Sequence, residues 1–174
     1  MFGLSKNKIE FEKVSFGQFV KDCKKIFGKD LPSGFVESAY AAIKLPERSS
    51  EGSAGYDLST PFGFALTESG KTTAVIPLGI RVKMPKRICF EILPRSGVGF
   101  KYGVSLANTV GLIDSDYYYT DNEGHIMAKL VRGFEDSLFV SGDRIAQGVF
   151  LKYSLKSGDK VKKKRKGGFG SSGK

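Results

Sequence analysis

Two carboxylates and a phenol fall within seven residues in Gly111-Leu112-Ile113-Asp114-Ser115-Asp116-Tyr117. Acids on a loop held by rigid neighbours serve as general bases or as ligands of metal-bound water, and they also suit a solvated hairpin tip. Pro94-Arg95-Ser96-Gly97 adds a cation, a hydroxyl and an unhindered backbone amide, which is equipment for holding phosphate oxygens. A structural ion pair is the lesser reading of Arg95. Ser96 raises a nucleophile reading, but activation needs a base, and His125 is the only histidine in the sequence. Three more loops carry polar chemistry: Ser53-Ala54-Gly55-Tyr56-Asp57-Leu58, Gly142-Asp143-Arg144-Ile145-Ala146-Gln147 and Gly167-Gly168-Phe169-Gly170-Ser171-Ser172-Gly173. Asp57 also fits a turn residue that bonds its own backbone.

The elements that position these residues read as strands and turns. With 174 residues, 14 Phe, 7 Tyr, no Trp and 22 Gly, the chain suits one domain of short strands. The spacing predicts one strand over 76–84, apolar at every second position, with Pro77 marking an edge or a bulge. Further strands are expected over 87–93, 102–107, 125–131, 137–140 and 144–151, giving an all-β jelly roll, sandwich or barrel. Residues 1–38 differ. Ser15 and Gln18 fit a capping box, Phe16, Phe19, Val20, Cys23, Ile26 and Phe27 recur at helical spacing, and Gly28 stops the run. The reading is an N-terminal extension (1–38) with one amphipathic helix packed on the domain or a neighbouring subunit, a β domain (39–153) and a flexible basic arm (154–174).

Lys and Arg number 28 against 18 Asp and Glu, a formal charge of +10 that favours anionic partners. Five consecutive cations, residues 162–166, account for half that excess and read as a solvated approach to the Gly-rich terminus, not as a nucleic-acid face. Cys23 and Cys89 lack metal-ligand spacing and suggest no disulfide framework; both are expected to be reduced and buried. No apolar run approaches membrane-spanning length, and the start Met1-Phe2-Gly3-Leu4-Ser5-Lys6 is followed by charged residues instead of a signal-peptide core. A soluble, cytoplasmic protein is expected.

Taken in order, the five polar loops resemble the five motifs of the trimeric dUTP pyrophosphatases over roughly residues 40–173. The resemblance implies a distorted jelly-roll homotrimer with active sites shared between subunits, hydrolysing dUTP to dUMP and pyrophosphate, and so removing dUTP and supplying dUMP for dTTP synthesis. It makes Asp114 the base that activates water for in-line attack on the α-phosphorus. Carboxylates, with pKa about 4, are feeble bases toward water, so positioning and charge neutralisation must supply most of the acceleration. The resemblance gives Arg95, Ser96, Gly97 and Gln147 to the phosphates, and Asp57 to Mg2+ through metal-bound water. Asn108, Gly111 and Ile113 fall to the base, and Tyr117 to the deoxyribose, where it excludes a 2′-hydroxyl; packing of the Tyr117-Tyr118-Tyr119 cluster is the other reading of that ring. Backbone groups of a hairpin over 102–117 would read the pairing edge of uracil. Arg144 supports the site, and structural roles for Asp143 and Arg144 stand equally. The arm resembles a lid in which Phe169 stacks on uracil while Gly168, Gly170 and Ser171 cradle phosphate.

Two departures stand out. Relatives place the lid arginine five residues before the phenylalanine, where this chain has Lys164; Arg165 is four before, and its fork suits the γ-phosphate better. Residues 118–123 extend the third motif, a loop read as a contact for a neighbour or partner with no required part in catalysis. Glu123-Gly124-His125-Ile126 echoes the dCTP deaminase branch of the same fold, which uses a glutamate as proton shuttle, but lies too far from Asp114. A regulatory binding protein switched by nucleotide is the other alternative.

Overall fold

Short apolar runs punctuated by Gly, Pro and Asp close on one another as antiparallel strands, numbered here in chain order. The computed structural model describes residues 8–162, 165 and 167. Its largest sheet joins Glu47–Arg48 (β2), Tyr56–Ser59 (β3), Arg144–Lys152 (β12), Ile88–Pro94 (β7) and Gly111–Ile113 (β9), in that order. A second sheet runs Thr73–Pro77 (β5), Met127–Val131 (β10) and Ser105–Leu106 (β8). Two pairs complete the set: Phe64–Leu66 (β4) with Ser137–Phe139 (β11), and Glu10–Lys13 (β1) with Ile80–Lys83 (β6). The fold is all-β and jelly-roll-like.

Pairing of β12 with β7 is the longest ladder, from Ala146 opposite Pro94 to Lys152 opposite Ile88. Phe90, fully buried on β7, packs against Phe11 and Phe150 with ring centroids 5.4 and 4.7 Å away. Gly148 makes room for that ring, since a Cβ there would collide with Phe90. Between Arg144 and Ala146 the register of β12 against β3 shifts, a bulge that re-aims side chains at this end of the sheet.

The single strand expected over 76–84 is two strands, β5 and β6, which pair with different partners. Gly79 breaks it: its φ of 72° lies in the left-handed region, and a side chain there would strike Ile43. Pro77 does lie on an edge strand, as expected. Residues 102–107 form a strand only at β8. Ser96–Tyr102 is a helix (α3), closed by Gly103 at φ 69°. The hairpin expected over 102–117 is absent, because β8 pairs with β10 while β9 pairs with β7. Among the described residues three α-helices are present where one was expected; Phe35–Ala41 (α2) is the third.

Phe16–Phe27 (α1) begins and ends as its sequence predicts: Gln18 N–H donates to Ser15 Oγ, and Gly28 N–H to Lys24 C=O. Phe19 and Cys23 reach the same core as Phe90, and burial pushes the Cys23 thiol up to about 12, with Asp22 adding to the rise. The reciprocal half of the cap comes from far away. Gln18 turns to Asp22, and Glu123 instead accepts from Ser15 N–H at 2.8 Å and from its hydroxyl at 2.6 Å. One helical turn on, buried Asp22 accepts from Gln18 Nε2 and from His125 Nδ1, both at 2.7 Å. Because Gly79 N–H donates to His125 Nε2 at 2.9 Å, that nitrogen is bare and the ring proton sits on Nδ1, facing Asp22. Burial alone would raise the Asp22 carboxyl; the bonds from His125 and Gln18 outweigh it and hold it low.

The bonds from the Ser15 hydroxyl and amide hold the Glu123 carboxyl below its usual value. A group depressed in the folded state stabilises above its unfolded pKa, and that contribution disappears as pH falls through the folded pKa. Glu123→Gln is expected to cost about 1 kcal/mol at pH 7 after solvent screening. In denaturant titrations the gap from the native chain should close as pH falls below the ordinary glutamate range.

Candidate functional site

Asp57 on β3 is the hub of one polar cluster. Its Oδ1 accepts from Arg95 Nε at 2.9 Å and its Oδ2 from Arg144 Nη1 at 3.0 Å, so one carboxylate sets two guanidinium groups side by side. Arg95 follows β7 and precedes α3; the first-turn amides of Ser96 and Gly97 have no carbonyl one turn earlier to bond. Gln147 sits opposite Asp57 across the ladder, donates from Nε2 to Pro94 C=O at 3.3 Å and lies so close to Gly55 that a Cβ there would meet its amide oxygen. A groove of about 480 Å³ opens beside the cluster, lined by Lys44, Arg48, Asp57 and Arg144 among others. The net charge of this surface is positive and its donors converge, which suits a polyphosphate.

Asp114 heads a second cluster. Its Oδ2 accepts from Arg165 Nη1 at 2.8 Å, and the same guanidinium lies 5.0 Å from the centroid of the Tyr117 ring and 3.9 Å from Asp116. Tyr117 is buried in the 3₁₀ turn Tyr117–Tyr119, and burial raises its phenol above the ordinary value. Ile113 is buried against Phe90, while Asn108 is exposed with its amide near Gly111. As the outermost strand, β9 pairs on one side only and offers backbone N–H and C=O groups on the other.

The two clusters occupy opposite ends of one strand. Ile113 pairs with Phe90, so Asp114 stands level with Cys89, six residues before Arg95 and therefore about 20 Å along β7. Asp114 bears on Cys89: after burial and Glu91, its charge is a further cause of the raised thiol pKa there. The profile of the dUTPase family matches residues 41–173.

The chain belongs to the dUTPase family. It is similar to deoxyuridine 5'-triphosphate nucleotidohydrolases of Lactococcus lactis subsp. lactis (40% identical over 140 residues, 76% of this chain and 90% of the relative) and Tolumonas auensis (38% over 136 residues, 74% and 87%). Its fold is similar to the crystal structure of dUTPase from Streptococcus mutans, with a TM-score of 0.61 and 28% identity over 85% of this chain and 98% of the other. The dUTPase match begins at residue 41, after β1, α1 and most of α2.

Of the residues named from the sequence, Asp57, Arg95, Ser96, Gly97 and Gln147 gather at one end of β7 and Ile113, Asp114, Tyr117 and Arg165 at the other, while Gly111 pairs with Ile92 between the two and Asn108 lies beside Gly111. Lys164, Gly168, Phe169, Gly170 and Ser171 lie outside the described residues. Arg165 rests on the carboxylate and ring of Asp114 and Tyr117, not among the phosphate-type donors. Sequence reasoning missed Asn122, whose Nδ2 donates to the Tyr117 hydroxyl at 3.0 Å; its one signal was the extra polar stretch directly after the tyrosines. Arg95→Ala is expected to weaken inorganic pyrophosphate binding about tenfold to a hundredfold in titration calorimetry, the loss shrinking as salt rises.

Proposed function

We propose that the chain hydrolyses dUTP to dUMP and pyrophosphate at sites assembled between the subunits of a homotrimer. The separation of about 20 Å between Asp114 and Arg95 within one protomer carries this reading. In-line attack needs the water held by Asp114 about 3–3.5 Å from the α-phosphorus, and the other phosphates follow within a few bonds. One protomer therefore presents its Asp114 end to the Arg95 end of a neighbour, and the triphosphate bridges the two.

At such a site Asp114 takes the proton of the attacking water on a carboxylate oxygen, once nucleotide has displaced Arg165 from Oδ2. The exposed edge of β9, with Asn108, presents fixed donors and acceptors to the uracil edge, and a mismatched base leaves them unpaired. The face of Tyr117 that Arg165 now covers is where the sugar packs. Arg95, Gln147 and the amides of Ser96 and Gly97 hold phosphate oxygens, and Asp57 keeps Arg95 and Arg144 aimed at them. Phe169 with Gly168, Gly170 and Ser171 would close the site as a lid.

Magnesium fits this donor set, because it retains waters and asks for only one or two carboxylates; among the described residues no group of three His, Cys, Asp or Glu encloses an ion. Each Asp57 oxygen accepts one arginine N–H and keeps a lone pair for a metal-bound water. Bound there, the ion supplies neutralisation of the triphosphate oxygens. The reading places the enzyme in the cytoplasm with its nucleotide pool; among the described residues no helix is long and apolar enough to cross a membrane. A deaminase role is disfavoured by Glu123, whose carboxylate caps Ser15.

Pyrophosphate release with magnesium should be rapid for dUTP and slow for dCTP, dTTP and UTP, and Asp114→Asn should lower it about 10²- to 10⁴-fold. No release from any of the four by the folded protein would overturn the assignment. Asp114→Asn and Arg95→Ala protomers, each inactive alone, should regain activity when unfolded and refolded together, with about a quarter of sites intact. Mixtures that stay inactive would place both ends of the site in one protomer.

A further inference from the structure

The stretch that lengthens the third motif folds back onto Tyr117. Thr120 donates from its hydroxyl to Tyr117 C=O at 2.7 Å and from its amide to the same carbonyl at 3.2 Å. Asn122 then donates from Nδ2 to the Tyr117 hydroxyl, which itself donates to the backbone carbonyl of His125 at 2.8 Å. Gly124 allows this closure: its φ is 69°, and a Cβ there would lie 2.7 Å from Tyr118 Cα. The phenol oxygen is thus gripped from both sides, once by the loop and once by the residue that ends it.

His125 is fixed in turn by the N-terminal extension. It is fully buried, its ring 5.9 Å from that of Phe19, with Asp22 on Nδ1 and the Gly79 amide on Nε2. Asp22 and Phe19 come from α1, which precedes the part of the chain that matches the dUTPase profile. Hydrogen bonds therefore join Gln18 and Asp22 to the His125 ring, and the backbone carbonyl of the same His125 to Tyr117 and Asn122. They reach Tyr117, whose ring is covered by the Arg165 guanidinium that also bonds Asp114.

We propose that Asn122 and the buried Asp22–His125 pair are positioning residues that fix the plane and depth of the Tyr117 ring, and so set how strictly the site rejects a ribonucleotide. The inference rests on the reading above that the sugar of dUTP packs on Tyr117. A ring that excludes one hydroxyl must hold its place to a fraction of an ångström, and packing around a phenol fixes its tilt less firmly than two hydrogen bonds at its far end. The extension and the extra loop are two halves of one brace: α1 supplies the acceptor for His125, and the loop supplies the donor for the phenol.

The test compares kcat/KM for dUTP and UTP, with melting temperature, in the native chain and in Asn122→Ala, Asp22→Ala and Asp22→Asn. Asn122 lies on a surface loop, and its alanine variant is expected to fold normally while the dUTP-over-UTP ratio falls about threefold to tenfold, the equivalent of one hydrogen bond. Asp22→Ala should lower the ratio too. Asp22→Asn should restore it, because a single carboxylate oxygen accepts from both Gln18 and His125 and an amide oxygen can replace it. A purely structural role would lower the melting temperature and leave the ratio alone. An active, dUTP-selective Asn122→Ala enzyme with an unchanged ratio would overturn the inference and leave the functional assignment standing. A native chain inactive on dUTP would remove both.

Discussion

The ladder between β7 and β12 governs the geometry of everything that performs chemistry here. It is straight enough to separate Pro94 from Ile88 by the full length of the strand, and stiff because aromatic rings from β1, β7 and β12 fill one side of it. Arg95 leaves one end of β7, and Arg144 and Gln147 reach the same end from β12, where the bulge turns Arg144 toward Asp57. β9 hangs on the other flank of β7 and delivers Asp114 to the far end. The two ends of β7 therefore stand about 20 Å apart within one protomer, each with its own set of polar groups.

Electrostatic order within each end follows from local pairing. Two arginines near one another repel, and Asp57 holds both through one carboxylate, one on each oxygen. At the other end Arg165 neutralises Asp114 and covers the Tyr117 ring. Asp57, Arg95 and Arg144 at one end, and Asp114 and Arg165 at the other, are thus each paired with an opposite charge.

Local signals in the sequence were legible and distant ones were not. Ser15 and Gly28 announce α1 because the bonds Gln18 N–H to Ser15 Oγ and Gly28 N–H to Lys24 C=O are local, whereas the side chain of Gln18 bonds Asp22 and leaves the other half of the capping box to Glu123. Strands β7, β10, β11 and β12 are close to their expected spans because alternation reports a buried face directly. The break at Gly79 was hidden, since apolar alternation continues across it and only the backbone angle reveals the turn. Helix α3 was hidden by Gly97 and Gly99, poor helix formers; Gly103 closes it and Val98 anchors it to the core. The chemical types at the site were all readable, yet their division between two ends depends on strand register, and the bond from Asn122 to Tyr117 depends on how a loop folds back.

Glu123 completes the start of α1 across 108 residues of chain. A helix of twelve residues is marginal alone, and α1 gains the Glu123 bonds to Ser15, its His125 partner and its core contacts only after most of the β domain has been made. During vectorial synthesis α1 emerges before the β domain and is among the last elements to be secured. Its apolar face of Phe19 and Cys23 stays uncovered meanwhile, and the assembly step is one of high contact order, slow relative to the local hairpins.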